Sequence, residues 1–136
     1  MGPRRVNAAY IDASALVKLL EAERETDAFR GALEDWPVQV ASELIRVEAV
    51  CTARRLGGDD ILQRANAALE RINLIPLSPE IIELATDAHT PPLRAMDAIH
   101  LPTALTMRED LGVVFVYDSD LHAAARAHHL NPLAPR

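Results

Sequence analysis

Short apolar segments alternate with segments of helical periodicity along the sequence. The apolar segments at 8–11, 38–41, 73–77 and 113–117 have the length and composition of buried strands. Between them, apolar residues recur at the three- and four-residue spacing of one helix face. Strands that are apolar throughout and separated by helices are typical of a parallel sheet covered on both faces. The sequence therefore predicts an α/β fold with four to five strands, the fifth being a short edge strand at 132–133.

Capping residues and helix breakers set the expected helix boundaries. Gly57 and Gly58 are expected to stop one helix, and Ser78 followed by Pro79 gives an N-cap with proline at the first helical position. Pro102 falls inside a helical segment and is expected to kink it. Residues 90–92 are expected to form a loop. The predicted helices begin at Ser14 and otherwise cover 26–34, 43–56, 59–72, 79–89, 93–108 and 118–129.

The composition is that of one globular domain, 1–136. Hydrophobic residues make up 49% of the 136 residues and charged residues 25%, which suits a chain of this length with a single core. No apolar run has the length needed to cross a bilayer, so no membrane association is expected. Cys51 is the one cysteine, which excludes an intrachain disulfide. We expect Cys51 to be a small buried residue inside a helix, and the protein to be cytoplasmic.

The charge argues against a general nucleic-acid coat. The chain has 20 acidic and 14 basic residues, a net charge of −6, whereas proteins that bind nucleic acid through its phosphates are usually basic. An enzyme whose acidic residues hold divalent cations is not excluded, because the bound metal reverses the local charge.

Two aspartates directly follow apolar strands. Asp12 and Asp118 each lie between a predicted strand and a predicted helix. In open parallel sheets, ligands bind beyond the carboxyl ends of the strands, which is where both carboxylates are expected. Each aspartate can equally be an ordinary helix N-cap. Taken singly, neither position decides between the two interpretations.

Two further carboxylates lie on predicted helices among apolar residues. Glu48 has apolar or small neighbours three and four residues away, and a buried charge needs a partner. That partner is either a metal ion or an arginine such as Arg55. Asp97 is flanked by Leu93 and Leu101 at helical spacing, and it can instead favour the helix dipole or pair with Arg94.

Four carboxylates in one small α/β domain fit a site for a hard cation. Mg²⁺ and Mn²⁺ prefer oxygen ligands, and such ions orient phosphodiesters and lower the pKa of a bound water. The sequence offers no cluster of histidine and cysteine for zinc.

Four segments, in order, resemble the motifs of PIN-domain ribonucleases, and of VapC toxins in particular. The resemblance spans nearly the whole chain, and four motifs in order are far more specific than any one of them. The segments are Tyr-Ile-Asp-Ala-Ser-Ala-Leu-Val-Lys-Leu at 10–19, Ser-Glu-Leu-Ile-Arg-Val-Glu at 42–48, Arg-Ala-Met-Asp-Ala-Ile-His-Leu at 94–101 and Val-Tyr-Asp-Ser-Asp-Leu at 116–121.

The resemblance implies a three-layer PIN-like domain and a set of site residues. It implies that Asp12, Glu48, Asp97 and Asp118 are catalytic. It makes Asp12, Asp97 and Asp118 the metal ligands, with Ser14 and Asp120 supporting them. Arg46 and Arg94 could bind RNA phosphates, but we expect them to neutralise Glu48 and Asp97 in the free protein.

The resemblance also implies cofactors and partners. It indicates an endoribonuclease that depends on Mg²⁺, with Mn²⁺ also supporting activity. The family acts as growth-inhibiting toxins that a VapB antitoxin neutralises. A homodimer is expected, with a heterotetramer or larger assembly in the presence of antitoxin.

Two alternatives remain open from the sequence. A catalytically silent PIN-like module could bind RNA or a protein partner, although four converging carboxylates have no use there. A small phosphatase or receiver domain could use Asp12, but Ser14 replaces the second aspartate of one class, and the only lysine, Lys18, is misplaced for the other. His100 lies one helical turn from Asp97 and could orient a carboxylate, but we read it as structural, since a lone histidine on an apolar face usually is.

Overall fold

The computed structural model describes residues 7–87 and 92–136. All five strands pair in parallel in one sheet, with the order β3-β2-β1-β4-β5. The chain therefore reverses its direction across the sheet between β1 and β4, which are neighbours although far apart in sequence. The strands are β1 (Ala8–Ile11), β2 (Gln39–Ser42), β3 (Ile72–Ile75), β4 (Leu111–Phe115) and β5 (Pro132–Leu133).

Helices lie between successive strands, because a parallel pair needs a crossover connection from one end of the sheet to the other. Short 3-10 turns at Val17–Leu19 and Arg108–Asp110 extend two of these connections. The helices of the described ranges are α1 (Ala13–Leu16), α2 (Thr26–Leu33), α3 (Leu44–Leu56), α4 (Asp59–Glu70), α5 (Pro79–Ala85), α6 (Ala95–Thr106) and α7 (Ser119–Ala127).

The sheet is covered on both faces, so the fold has three layers. Side chains of successive strand residues point to opposite faces, and in β1 Ile11 joins one core while Tyr10 joins the other. The core around Ile11 contains residues of α1, α2, α3 and α4. The core around Tyr10 contains residues of α6 and α7. The predicted parallel α/β sheet with helices on both sides is confirmed.

Most predicted boundaries are within two residues of the observed ones. Helix α3 ends before Gly57 and Gly58, whose φ angles of 82° and 102° suit glycine. Helix α6 runs through Pro102 from Ala95 to Thr106. Helix α5 ends at Ala85, before the predicted end at His89, and residues 88–91, with part of the predicted loop, lie outside the described residues.

The expectation for Cys51 is wrong. Its side chain is exposed, because α3 buries Ile45, Ala49 and Ala53 at four-residue spacing and turns Cys51 away from the core. Among the described residues, none of the helices has the length and apolar character needed to cross a membrane.

Candidate active site

The two strand-end aspartates are both helix N-caps. Asp12 Oδ2 accepts hydrogen bonds from the Ser14 amide at 3.0 Å and from Ser14 Oγ at 2.5 Å at the start of α1. Asp118 Oδ1 accepts from the amides of Asp120 at 2.8 Å and Leu121 at 3.0 Å at the start of α7. Because β1 and β4 are paired, both caps also lie at the carboxyl edge of the sheet. Each aspartate is therefore a helix cap and also lies where ligands bind in a parallel sheet.

Ser14 links these two strand ends. Its Oγ donates to Asp12 and accepts from the backbone amides of Tyr117 at 2.8 Å and Asp118 at 3.3 Å. A hydroxyl has one proton to donate and two lone pairs to accept with, so these contacts use it fully. One small side chain thus fixes the position of Asp12 relative to Asp118.

Glu48 is hydrogen bonded to a histidine and not to an arginine. Its Oε1 lies 2.6 Å from Nε2 of His100, and the same nitrogen lies 3.8 Å from Oδ1 of Asp12. Arg55, the alternative partner, instead donates to Thr52. His100 therefore connects α6 to carboxylates on α3 and at the end of β1.

A second hydrogen bond holds the far side of the His100 ring. Nδ1 of His100 lies 2.7 Å from the Tyr10 hydroxyl, which also accepts from the backbone amide of Ser42 at 3.1 Å. Burial raises the pKa of Tyr10 well above its usual value, so the hydroxyl keeps its proton. Burial lowers the pKa of His100, but the bond to Glu48 and the charges of Asp12 and Asp97 outweigh it, and the net shift is upward.

Asp97 lies within the field of the other three carboxylates. Burial and the charges of Asp118, Asp12 and Glu48 raise the pKa of Asp97 from 3.8 to about 6, although His100 opposes the shift. Among the described residues no hydrogen bond reaches this carboxylate. The structure thus places Asp97 close enough to Asp12, Glu48 and Asp118 to feel their charges, and places His100 against Glu48 and near Asp12.

Comparison with known proteins gives a consistent family. Residues 9–127 match the PIN domain family. Ribonuclease VapC46 of Mycobacterium tuberculosis is 35% identical over 128 residues, which cover 94% of this chain and 98% of the relative. The chain belongs to the PIN-domain family. Ribonuclease VapC35 of the same organism is also 35% identical, over 133 residues that cover 93% of this chain and 96% of the relative.

Two solved structures have the same fold. A chain of a toxin–antitoxin complex from Klebsiella pneumoniae superposes with a TM-score of 0.72 at 25% identity, covering 95% of this chain and 98% of that one. VapC20 of Mycobacterium tuberculosis, a Sarcin-Ricin loop cleaving toxin, superposes with a TM-score of 0.68 at 17% identity. It covers 86% of this chain and 95% of that one.

Three predicted site residues lie at the margin of the PIN-domain carboxylate cluster. Arg46 and Arg94 are exposed, and neither forms an ion pair with a described carboxylate. The expectation that they neutralise Glu48 and Asp97 is therefore wrong, because their side chains lie on the solvent side of their elements. Asp120 is also exposed and contributes its backbone amide to Asp118.

The donor set suits a divalent cation, although it is not preassembled. Among residues 7–87 and 92–136, no group of three or more His, Cys, Asp and Glu side chains is already arranged to hold a metal ion. Two features nevertheless fit one. Asp12 Oδ1 is buried without a hydrogen-bond partner, and buried polar atoms normally have one. The pKa of Asp97 is raised to about 6 first by burial and then by the charges of Asp118, Asp12 and Glu48, which a bound cation would offset.

Sequence reasoning missed Tyr10 and underrated His100. Both are fully buried, yet their polar atoms lie behind the carboxylates. The available signal was the three-residue spacing of Asp97 and His100, which puts both on one side of α6. Tyr10 had no such signal, because its hydroxyl reaches His100 only through the packing of α6 on β1.

Proposed function

We propose that the chain is a metal-dependent endoribonuclease of the VapC type that acts as a growth-inhibiting toxin. The observation that carries the proposal is the meeting of Asp12, Glu48, Asp97 and Asp118 at the carboxyl end of the sheet. Relatives named as VapC ribonucleases, matched over nearly their full length, support RNA as the substrate.

The chain's own residues divide the work. Asp12, Asp97 and Asp118 are the proposed ligands of Mg²⁺, and Mn²⁺ would fit the same oxygen donors. When bound, the ion supplies charge stabilisation for the phosphodiester and acidifies water. Glu48 keeps Oε1 on His100, which leaves Oε2 to accept a proton from the attacking water. Ser14 keeps Asp12 and Asp118 in register.

Two solved structures with the same fold suggest the partners. A solved structure matching this fold is a toxin–antitoxin complex, and another is named as VapBC2 from Rickettsia felis bound to promoter DNA. We infer that a VapB-type antitoxin neutralises this chain in the cytoplasm. A homodimer, and a heterotetramer or larger assembly with antitoxin, is the proposed arrangement.

The direct test is cleavage of cellular RNA with mapped 5′ ends. Purified protein with Mg²⁺ or Mn²⁺ should cut RNA at a small number of sites, and EDTA should stop the reaction. Expression should arrest growth, and coexpression of the antitoxin should reverse the arrest. Cleavage that persists in EDTA would overturn the metal requirement.

A binding measurement separates the enzyme from a silent module. Calorimetric titration should show Mn²⁺ binding to the wild-type chain, and a folded Asp97→Asn variant should bind it far more weakly. If the wild-type chain binds no divalent ion and cuts no RNA, a silent PIN-like module is the better description.

A further inference from the structure

We infer that His100 and Tyr10 are positioning residues that hold Glu48 in the active site through a buried chain of hydrogen bonds. This inference rests on the proposed nuclease function for its kinetic consequence. Its structural content stands independently, since it concerns which groups fix one carboxylate. The chain runs from the Ser42 amide to the Tyr10 hydroxyl, then through the His100 ring to Glu48.

This series of hydrogen bonds joins the two faces of the sheet. Glu48 is carried by α3, which packs in the core containing Ile11, whereas His100 is carried by α6 in the core containing Tyr10. Their 2.6 Å contact crosses the carboxyl end of the sheet. Local structure does not determine this contact, because it depends on how α3 and α6, on opposite faces of the sheet, are positioned relative to each other.

Nothing else in the described residues anchors Glu48. Within residues 7–87 and 92–136 its carboxylate has one hydrogen bond, to His100, and its side chain is 19% exposed. By contrast, Asp12 and Asp118 are fixed by amides of their own helices. Without His100, Glu48 would be free to change rotamer towards solvent and to leave the neighbourhood of Asp12.

The chemistry of the two groups fixes which one donates in the hydrogen bond between His100 and Glu48. An ionised carboxylate can only accept, so the Nε2 proton of His100 belongs to Glu48 whether the ring is neutral or charged. The second nitrogen is engaged by Tyr10, and Tyr10 is itself fixed by a backbone amide of β2. A ring bonded at both nitrogens has one orientation, as histidines supported by an outer partner do.

A spectroscopic test does not depend on activity. In ¹⁵N-labelled protein, the Nε2–H resonance of His100, assigned by its loss in His100→Leu, should be protected from solvent exchange. Glu48→Ala should abolish that protection, and Tyr10→Phe should shift the Nδ1 resonance. Spectra unchanged by both substitutions would overturn the inference. This arm decides the inference even if the wild-type chain cuts no RNA, in which case only the proposed function fails.

Kinetics then separate positioning from simple packing. His100→Leu should lower kcat by about 10- to 100-fold with little change in KM, the usual cost of losing an outer partner. His100→Gln retains a donor and should recover part of the rate. The matched control is Leu101→Val, the next residue of α6, whose side chain is buried but apolar and so cannot join the hydrogen bonds. Equal loss of kcat in the control, or a loss confined to KM, would contradict the inference.

Discussion

The carboxylates of the strand ends and those of the helices are held in different ways. Asp12 and Asp118 cap the helices that follow them, so backbone amides one turn away fix their oxygens. Glu48 depends on a side chain from the opposite layer, and among the described residues Asp97 has no hydrogen bond at all. The strand-end pair therefore contributes to stability as well as to the site, whereas Asp97 is held at a cost.

The largest expected effect compares Asp118→Ala with Asp97→Ala. Both should reduce RNA cleavage by about 10³-fold, since a lost ligand removes several kcal/mol of transition-state stabilisation. Their stabilities should move in opposite directions. Asp118→Ala loses a cap and about 1 kcal/mol, whereas Asp97→Ala relieves repulsion and raises the free energy of unfolding without metal. Cleavage assays and urea denaturation in EDTA measure both quantities.

Asp118→Asn is the matched control for that comparison. Asparagine still accepts hydrogen bonds from the helix amides, so the variant should keep wild-type stability while losing cleavage. If Asp97→Ala proves less stable than Asp118→Ala, the contrast between the two pairs of carboxylates is wrong.

Removing the link between the strand ends should have the next largest effect. Ser14→Ala leaves the amides of Tyr117 and Asp118 without their acceptor, at about 1–3 kcal/mol for each group that becomes unsatisfied. Cleavage should fall as well, because Asp12 loses its short contact with the hydroxyl. Ser119→Ala, an exposed serine at the start of α7, is the control and should change neither property. Thermal melting measures stability, and initial rates measure cleavage. If Ser14→Ala and Ser119→Ala behave alike in both, the proposed role of Ser14 as a link is wrong.

The pH dependence of stability should isolate Asp97. Its pKa is raised in the folded state, from 3.8 to about 6, so folding is favoured while the group is protonated. This contribution is fully present below about pH 4 and is lost as the pH rises through about 6. Since the group is partly solvated, we expect about 1–2 kcal/mol after screening. Unfolding in EDTA at about pH 5 and about pH 7.5 should show a smaller decline for Asp97→Asn than for wild type.

The smallest effect is expected at Asp120. Its side chain is exposed and its contact with Asp118 is made by the backbone, so Asp120→Asn should change stability by less than about 0.5 kcal/mol. Cleavage should stay close to the wild-type rate. A loss of cleavage as large as that of Asp118→Asn would indicate that Asp120 is a metal ligand. The site would then include this exposed side chain.

Local features of the sequence predicted where the two strand-end carboxylates lie in the fold. A buried strand followed by aspartate and a helix encodes both the cap and its place at the sheet edge, so Asp12 and Asp118 needed no tertiary information. The alternation of strands and helices likewise predicted the parallel sheet. Most boundaries differed by one or two residues, as at β4, which begins at Leu111 rather than Val113.

The surroundings of the two helix carboxylates, Glu48 and Asp97, depend on how α3 and α6 pack, and the periodicity of the sequence does not determine that packing. The buried stripe of α3 is Ile45, Ala49 and Ala53, so small alanines rather than Cys51 face the core. The partner of Glu48 lies 52 residues away on another layer, beyond any local pattern. Arginines near in sequence were therefore the wrong choice of counter-charge.

The bonds from Ser14 to the end of β4 have a consequence for how the protein is made. Ser14 and Asp118 are 104 residues apart, and β1 gains β4 as its neighbour only after the chain has been synthesised through β4. A nascent chain that has not yet left the ribosome beyond Asp118 lacks a complete site. Under the proposed nuclease function, the protein therefore cannot cut RNA, including the message being translated, until Asp118 is free to fold against Ser14.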